Sequence, residues 1–347
     1  MKKGQEKFLL GLDIGGTKVE GVIIKISSDT KNTLSSHGRS YFPIPSEFLK
    51  TNDKLWGEII IRKRIPTERD RGYMPVMKDI AGLIKSLCEQ TSLQIDDLLG
   101  IGAGMPGTID PEKQIMLNGN SQIFINQNFT YDLCQLLAST PRIHLENDAS
   151  CFALSEVMCG VGHDFYAHSG LKISQQVGIG IILGTGVGGG IIVDGKILSG
   201  RFGGGGEVGH TTLVPGGQKC YCGNFGCAEQ YLSGPAMEAI YFERSNIKAK
   251  SAEIFSDNVS TVAQEVRDFY LNNLAIFLRN LTSIFDPDYF VLGGGVSNQP
   301  LLYNEGQKRL WDSTFLPQSK PLIYQHKLGD SAGVIGAAIL LLTKNLE

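Results

Sequence analysis

The chain has 347 residues, 42% of them hydrophobic and 19% charged, with a formal net charge of −3. This length suits two domains, and the charge leaves no basic surplus of the kind that marks a nucleic-acid partner. Glycine is in excess, at 43 residues against a usual level of about 7%; the excess sits in a few runs, which points to backbone approaching a ligand closely.

The first residues, Met1 to Lys7, are charged, and the apolar stretch behind them stops at Asp13, too short for a signal segment. Phe8–Asp13 and Lys18–Ile26 read as strands joined by Gly15-Gly16-Thr17. Residues 29–57 are polar and broken by Pro43, Pro45 and Gly57, a loop or an embellished hairpin. Ile59–Ile61 resume a strand, and Met74–Cys88 has helical spacing. Leu98–Gly104 is a buried strand ending at the turn Met105-Pro106-Gly107, and Ile143–Leu145 is a short strand. Asn147-Asp148 opens a helix through Val157, with Asp148 in the first turn, where an anion is favoured.

In the second half, Val177–Leu183 and Gly190–Val193 form another strand pair around Gly184-Thr185-Gly186-Val187-Gly188-Gly189, echoing the unit at Asp13–Thr17. Gly184-x-Gly186-x-x-Gly189 has the dinucleotide spacing, but a β-branched run follows it where that fingerprint requires a helix. Gly190–Lys196 misses the P-loop, because Ile197 stands where a magnesium-binding Ser or Thr belongs. Glycine amides without Cβ interference can cradle phosphate oxygens, though glycine runs also serve as plain turns. Val266, Tyr270, Leu274, Phe277, Leu281 and Ile284 mark the core stripe of a long helix. Tyr289–Leu292 is a strand followed by Gly293-Gly294-Gly295. Asp330 or Ser331 caps a last helix whose Gly333, Gly336, Ala337 and Ala338 permit close packing, and whose apolar run Ala332–Leu342 is too short to span a bilayer. A cytoplasmic protein is expected, without membrane or nucleic-acid partners.

Of seven cysteines, Cys88, Cys134, Cys151 and Cys159 lie in apolar segments and read as small buried hydrophobes. The other three gather with a histidine: Glu207-Val-Gly-His210, then Cys220-Tyr-Cys222-Gly223, Gly226-Cys227 and Glu229. Imidazole and thiolate are the ligands tetrahedral zinc prefers, and three cysteines with one histidine form a closed structural set. A purely structural knuckle has no need of the flanking Glu207 and Glu229.

This cluster resembles the signature of the ROK family of repressors, open reading frames and sugar kinases, matching every ligand, both carboxylates and both glycines of Glu-x-Gly-His and Cys-x-Cys-Gly-x-x-Gly-Cys-x-Glu. The glycine runs are similar to those of the wider actin-like ATPase and sugar-kinase superfamily. Asp13-x-Gly15-Gly16-Thr17 matches the first phosphate loop, Gly184-Thr185-Gly186 the second, and Gly294-Gly295 lies in the adenosine segment. The resemblance implies an α/β fold of two actin-like (ribonuclease H-like) ATPase domains closing around a central cleft. It places the smaller domain at residues 1–119, completed by the C-terminal helix 332–347, and the larger, with the zinc motif, at 120–331.

The implied activity is ATP-dependent phosphorylation of a sugar at its 6-hydroxyl. Asp148, in Asn147-Asp148-Ala149, would be the catalytic base; read on its residues alone, the favoured reading is a helix N-terminal carboxylate. Asn120, Asn147, Glu207, His210 and Glu229 would hold sugar hydroxyls, with His210 also binding zinc beside Cys220, Cys222 and Cys227. Asp13 would help hold Mg²⁺. The stretches Asp148–Glu156 and Leu183–Gly190 look most like bacterial N-acetylglucosamine kinases, whereas Asn120-Ser121 with Asn126 and Phe129 looks more like the family's fructokinases. The choice falls on N-acetyl-D-glucosamine, with fructokinase or glucokinase activity as the alternative. A sugar-responsive repressor of the same family is the alternative from another class, disfavoured because only seven residues precede the first strand. A homodimer is the family's usual state.

Overall fold

A computed structural model of the chain describes residues 6–28, 41–49, 51, 54–119 and 121–343. It folds as two compact units. The first takes in the chain up to Gln175, Val193–Gly205 and Lys327 onward; the second comprises Gln176–Ile192 and Gly206–His326.

The first unit is built on a six-stranded sheet. Its strands are β1 (Lys7–Ile14), β2 (Lys18–Ser27), β3 (Tyr41–Ile44), β4 (Leu55–Pro66), β5 (Leu98–Met105) and, beyond a small hairpin of β6 (Gly107–Ile109) and β7 (Met116–Gly119), β8 (Ile143–Asn147). Their spatial order is β3-β4-β2-β1-β5-β8. β1, β2, β4 and β3 run antiparallel to their neighbours, while β1, β5 and β8 are parallel. The expected hairpin within 29–57 is thus in part an extension of the sheet: Tyr41–Ile44 pairs with Leu55–Glu58. Residues 29–40 lie outside the described residues.

α1 (Tyr73–Thr91) covers one face of this sheet, because Val76, Ile80, Leu83, Ile84 and Leu87 recur at helical spacing and all are buried. α2 (Phe129–Leu137) joins the same core through Phe129, Leu133 and Leu137. On the other face lie α3 (Asp148–Cys159), buried from Ala149 to Cys159, and the last helix; α4 (Val161–Ser169) follows α3 directly.

The second unit holds β9 (Val177–Leu183) and β10 (Val187–Val193), after which a turn at Asp194-Gly195 leads back to the first unit and the short β11 (Lys196–Ile197). Its sheet continues with β12 (Tyr289–Gly293) and β13 (Leu322–Gln325), and β9, β12 and β13 are parallel. Around it pack α5 (Glu229–Leu232), α6 (Gly234–Ser245), α7 (Ser251–Ser256), α8 (Thr261–Phe285) and α9 (Glu305–Ser313). In α8 the stripe of Val266, Tyr270, Leu274, Phe277 and Leu281 is buried, and the Tyr270 hydroxyl donates to Leu232 O at 2.8 Å. Ile284, expected on that stripe, is 70% exposed: the helix turns into its left-handed C-cap at Asp286 within two residues, past the end of the packed face.

α10 (Ala332–Thr343) returns to the first unit. A Cβ on Gly11 or Gly102 would collide with the helix backbone at Val334 and Ala337, and one on Gly336 would collide with Cys151 of α3. The small residues therefore let helix and sheet meet backbone to backbone. Ser331 was a candidate cap for this helix; its hydroxyl instead accepts a hydrogen bond from Arg62 Nη1 at 2.7 Å.

The compact units divide elsewhere than at 119/120. β8 is parallel to β5 along Ile101–Met105, and α3 packs on α10, so residues 121–175 fold with the first unit. Motif order does not show that β8 continues the sheet of β1 and β5.

Candidate active site

The parallel strands of the first unit carry its candidate residues to one edge. Register pairs Asp13 with Gly104 and Gly104 with Glu146, so the carboxyl ends of β1, β5 and β8 are level. Ligands of open α/β sheets bind outside such carboxyl ends. β1 turns into β2 through Gly15-Gly16-Thr17, a loop closed by Gly15 N–H donating to Lys18 O at 2.9 Å. β8 runs straight into α3. Asn147 is the N-cap: its Oδ1 accepts from Ser150 N–H at 3.1 Å, and its Nδ2 donates to Gly107 O at 3.1 Å. Asp148 is the first helical residue, half-buried, with Oδ1 accepting from its neighbour Ala149 N–H at 2.8 Å. The cap and the carboxylate are two residues, not one, so Asp148 is spared the capping role.

Asp13 is half-buried, and its carboxyl is pushed above the usual range by loss of solvation and then by the negative charge of Glu20, against smaller opposing effects of Lys18, Arg64 and Arg62. An ionised carboxylate held there is short of positive charge, which is the electrostatic condition a hard divalent cation satisfies.

The loop has supports that motif spacing did not reveal. Buried Thr67 grips it twice, with N–H donating to Thr17 O at 3.0 Å and Oγ1 donating to Gly15 O at 2.8 Å. Buried Glu146 accepts from Asn147 N–H at 3.0 Å and from Ser199 Oγ at 3.1 Å, steadying the residue before the base candidate. Pro66-Thr67 carries no fingerprint, so no sequence signal pointed to it. Asn120 lies outside the described residues.

The second unit gathers the rest. Gly184-Thr185-Gly186 joins β9 to β10, and Gly184 is pinned by its N–H to Gly186 O at 3.0 Å and by Gly234 N–H donating to its carbonyl at 2.9 Å. Gly294, at the end of β12, lies against the Leu183 backbone at the mouth of this loop, and Gly295 begins the turn after it. Glu207–His210 rides on β10, since a Cβ at Gly209 would strike Val187. Glu229, at the start of α5, sends Oε2 to accept from Val187 N–H at 3.0 Å. The structure thus joins a predicted sugar carboxylate to the predicted phosphate loop.

His210, Cys220, Cys222 and Cys227 place one ligand atom each within 4.8 Å of all the others. His210 Nδ1 is 3.6 Å from Cys220 Sγ, and Cys222 Sγ is 3.6 Å from Cys227 Sγ. Zinc bonds near 2.3 Å to sulfur and 2.0–2.1 Å to nitrogen set tetrahedral edges of about 3.5–3.8 Å, so the donor set fits zinc. The spacing is enforced by backbone: Gly223 and Gly226 have φ of 93° and 74°, and a Cβ at Gly226 would strike Val214 O. Buried Cys227 is pushed up to about 12 by desolvation and then by Cys222, whereas a backbone hydrogen bond from Asn224 lowers exposed Cys222. Neighbouring thiols cannot all ionise together without a cation among them.

Nδ1 faces the thiols, leaving His210 Nε2 to point away from them. It lies 3.1 Å from the Tyr221 hydroxyl, and the two rings meet edge to face at 5.2 Å between centroids. Tyr221 is 69% exposed, and its hydroxyl is pushed up to about 12 by desolvation and then by Glu229, with Cys220 and Glu207 adding to the effect. It sits among the predicted sugar-binding groups, although its side-chain type gave no reason to single it out between two cysteines.

The ROK family model matches residues 54–344. The chain belongs to the ROK family and has the actin-like ATPase fold. It is 34% identical over 342 residues to the N-acetyl-D-glucosamine kinase of Aliivibrio salmonicida, covering 95% of this chain and 98% of the relative. The ROK hexokinase structure of Thermus thermophilus superposes with a TM-score of 0.71 at 25% identity, covering 97% of each chain. A ROK glucokinase of Streptomyces griseus, solved with glucose and AMPPNP, shares the fold at TM-score 0.68 and 24% identity, covering 96% of this chain and 98% of that one. Within the family, the chain falls among the sugar kinases. Among the described residues, no helix is long and apolar enough to cross a membrane.

Proposed function

We propose that this sugar kinase transfers the γ-phosphate of ATP to the 6-hydroxyl of N-acetyl-D-glucosamine. The observation that carries the reading is the near full-length, 34% identity to an N-acetyl-D-glucosamine kinase, in a chain that sets Asp148 at the carboxyl end of β8 with its capping duty taken by Asn147.

Phosphoryl transfer needs a positioned hydroxyl, a base for its proton and compensation of phosphate charge. Asp148 accepts the 6-hydroxyl proton. Asn147, held by Ser150 and Gly107, turns its remaining hydrogen-bonding capacity to the sugar. Glu207 and Glu229 accept from ring hydroxyls, and His210 offers Nε2 to a sugar oxygen. Asn120 is a further sugar contact by its place in the sequence. In the first unit the Gly15-Gly16-Thr17 amides hold phosphate oxygens; in the second, Gly184-Thr185-Gly186 does so, and Gly294-Gly295 borders the adenosine. Asp13 helps hold magnesium, which when bound neutralises charge on the terminal phosphates. The tetrad His210, Cys220, Cys222 and Cys227 holds a structural zinc that fixes the His210 ring and the chain between the two glutamates.

Initial rates across N-acetylglucosamine, N-acetylmannosamine, glucose, fructose and mannose test the substrate. N-Acetylglucosamine is expected to give the highest kcat/KM, because groups built for an acetamido function are left unpaired by a sugar lacking it. A higher value for fructose or glucose replaces this reading with a fructokinase or hexokinase.

A further inference from the structure

Arg69 occupies a position that the roles assigned above do not explain. It follows Thr67, whose two hydrogen bonds tie this segment to the Gly15–Thr17 loop. Glu68, between them, adopts a left-handed backbone (φ 46°, ψ 45°), and Arg69–Arg71 then form a single tight turn before Gly72 opens α1. The outcome is that Arg69 Nη1 lies 3.5 Å from the point a Cβ on Gly16 would occupy. Its neighbour Arg71 is engaged with Glu68 and Asp79. The Arg69 guanidinium has no hydrogen bond or ion pair among the described residues.

A second group converges on the same glycine. Ser121 Oγ is 4.0 Å from that Cβ position; Ser121 is 1% exposed, and its hydroxyl has no partner among the described residues. Buried polar atoms are rarely left unpaired, so this one points to a ligand or solvent atom at the loop. Ser121 also belongs to the segment that the family resemblance assigns to the sugar. Gly16 therefore stands where the phosphate loop adjoins the acceptor segment, with an unpaired cation and an unpaired buried hydroxyl both within 4.0 Å of the same point. A planar guanidinium presents paired N–H donors that match phosphate oxygens.

We propose that Arg69 is a catalytic residue that touches the terminal phosphoryl group of ATP at the Gly15–Thr17 loop and compensates its charge during transfer. The sugar O6–phosphorus bond forms as the bond from phosphorus to the β,γ-bridging oxygen breaks. ADP leaves with that electron pair, Asp148 takes the hydroxyl proton, and Arg69 stays protonated throughout. This assignment rests on the kinase reading.

The test compares wild type, Arg69→Ala and Arg69→Lys as full-length protein in one assay. Arg69→Ala is expected to lower kcat by roughly 10³-fold, the lower end of the range for arginines that stabilise phosphoryl transfer. KM for the sugar, affinity for ADP and the Tm should stay near wild type, while affinity for AMPPNP falls, because only the triphosphate analogue reaches Arg69. Arg69→Lys should recover a minor part of the rate, and guanidinium added below denaturing concentration should restore part of Arg69→Ala activity. An Arg69→Ala enzyme keeping more than half the wild-type kcat, or losing ADP and AMPPNP affinity equally, overturns the assignment while leaving the kinase reading in place. A wild type that phosphorylates none of the five sugars overturns the kinase reading and this assignment with it.

Discussion

The two glycine loops are the same device braced in two ways. Each joins the first two strands of a hairpin, and in each the leading strand, β1 or β9, lies parallel to a later one. The first loop is gripped by a neutral residue, Thr67, through its hydroxyl and its backbone. The second is gripped by a carboxylate, Glu229, two residues beyond the last cysteine of the metal cluster. A backbone pattern can thus be duplicated while its support diverges, because any group that satisfies the loop's polar atoms will hold its shape. The consequence is asymmetric: in the second unit the cysteine–histidine tetrad, Glu229 and the glycine loop form one connected segment, whereas among the described residues the first loop has no such link.

The sharpest test of what the first unit supplies is Asp148→Asn. It should lower kcat by about 10²–10⁴-fold if Asp148 is the general base, with sugar affinity and Tm unchanged because Asn147 retains the cap. Retention of more than half the wild-type kcat would remove Asp148 from that role.

Metal removal tests the asymmetry itself. Purified protein should hold one zinc per chain, and chelation should abolish sugar phosphorylation. Hydrogen exchange should quicken across residues 184–190 and 207–229 and stay unchanged across 13–17. Fully active protein without zinc would end the structural-metal reading; equal loosening of both loops would end the asymmetry.

Glu229→Ala should follow in size. It removes a carboxylate acceptor from Val187 N–H, and hydrogen bonds to charged groups are worth about 1.5–3 kcal/mol, which corresponds to roughly 10–100-fold in kcat/KM. Both sugar and ATP should be affected if the proposed roles hold, since Glu229 is the proposed sugar acceptor and also braces the glycine loop. A loss confined to the sugar would show that the link to the loop carries no functional weight.

Thr67→Val should be the mildest change. It deletes one neutral hydrogen bond, worth about 0.5–1.5 kcal/mol, and keeps the one made by the backbone N–H. KM for ATP should rise a few-fold, with KM for the sugar unchanged. An effect as large as that of Glu229→Ala would mean that the two braces are equivalent after all.

The sequence by itself determined what depends on local order. Strand–glycine–strand units, the start of α3 at Asn147-Asp148 and the cysteine–histidine tetrad could all be read there, because turn geometry and side-chain spacing are encoded within a few residues. The tetrad was the strongest such signal, since Gly223 and Gly226 hold the left-handed backbone that makes the spacing work. The sequence also carried the small residues of α10, though not their partners. Only the tertiary structure decided that Gly11, Gly102 and Cys151 receive that helix, that residues 121–175 join the first unit's sheet, and that Ile284 falls beyond the packed end of α8. It alone brought Thr67 and Arg69 to a loop some fifty residues earlier, and Glu229 to Val187. These contacts join residues far apart in the chain and of no distinctive type, and such proximity is fixed by how strands and helices pack rather than by any spacing a single sequence displays.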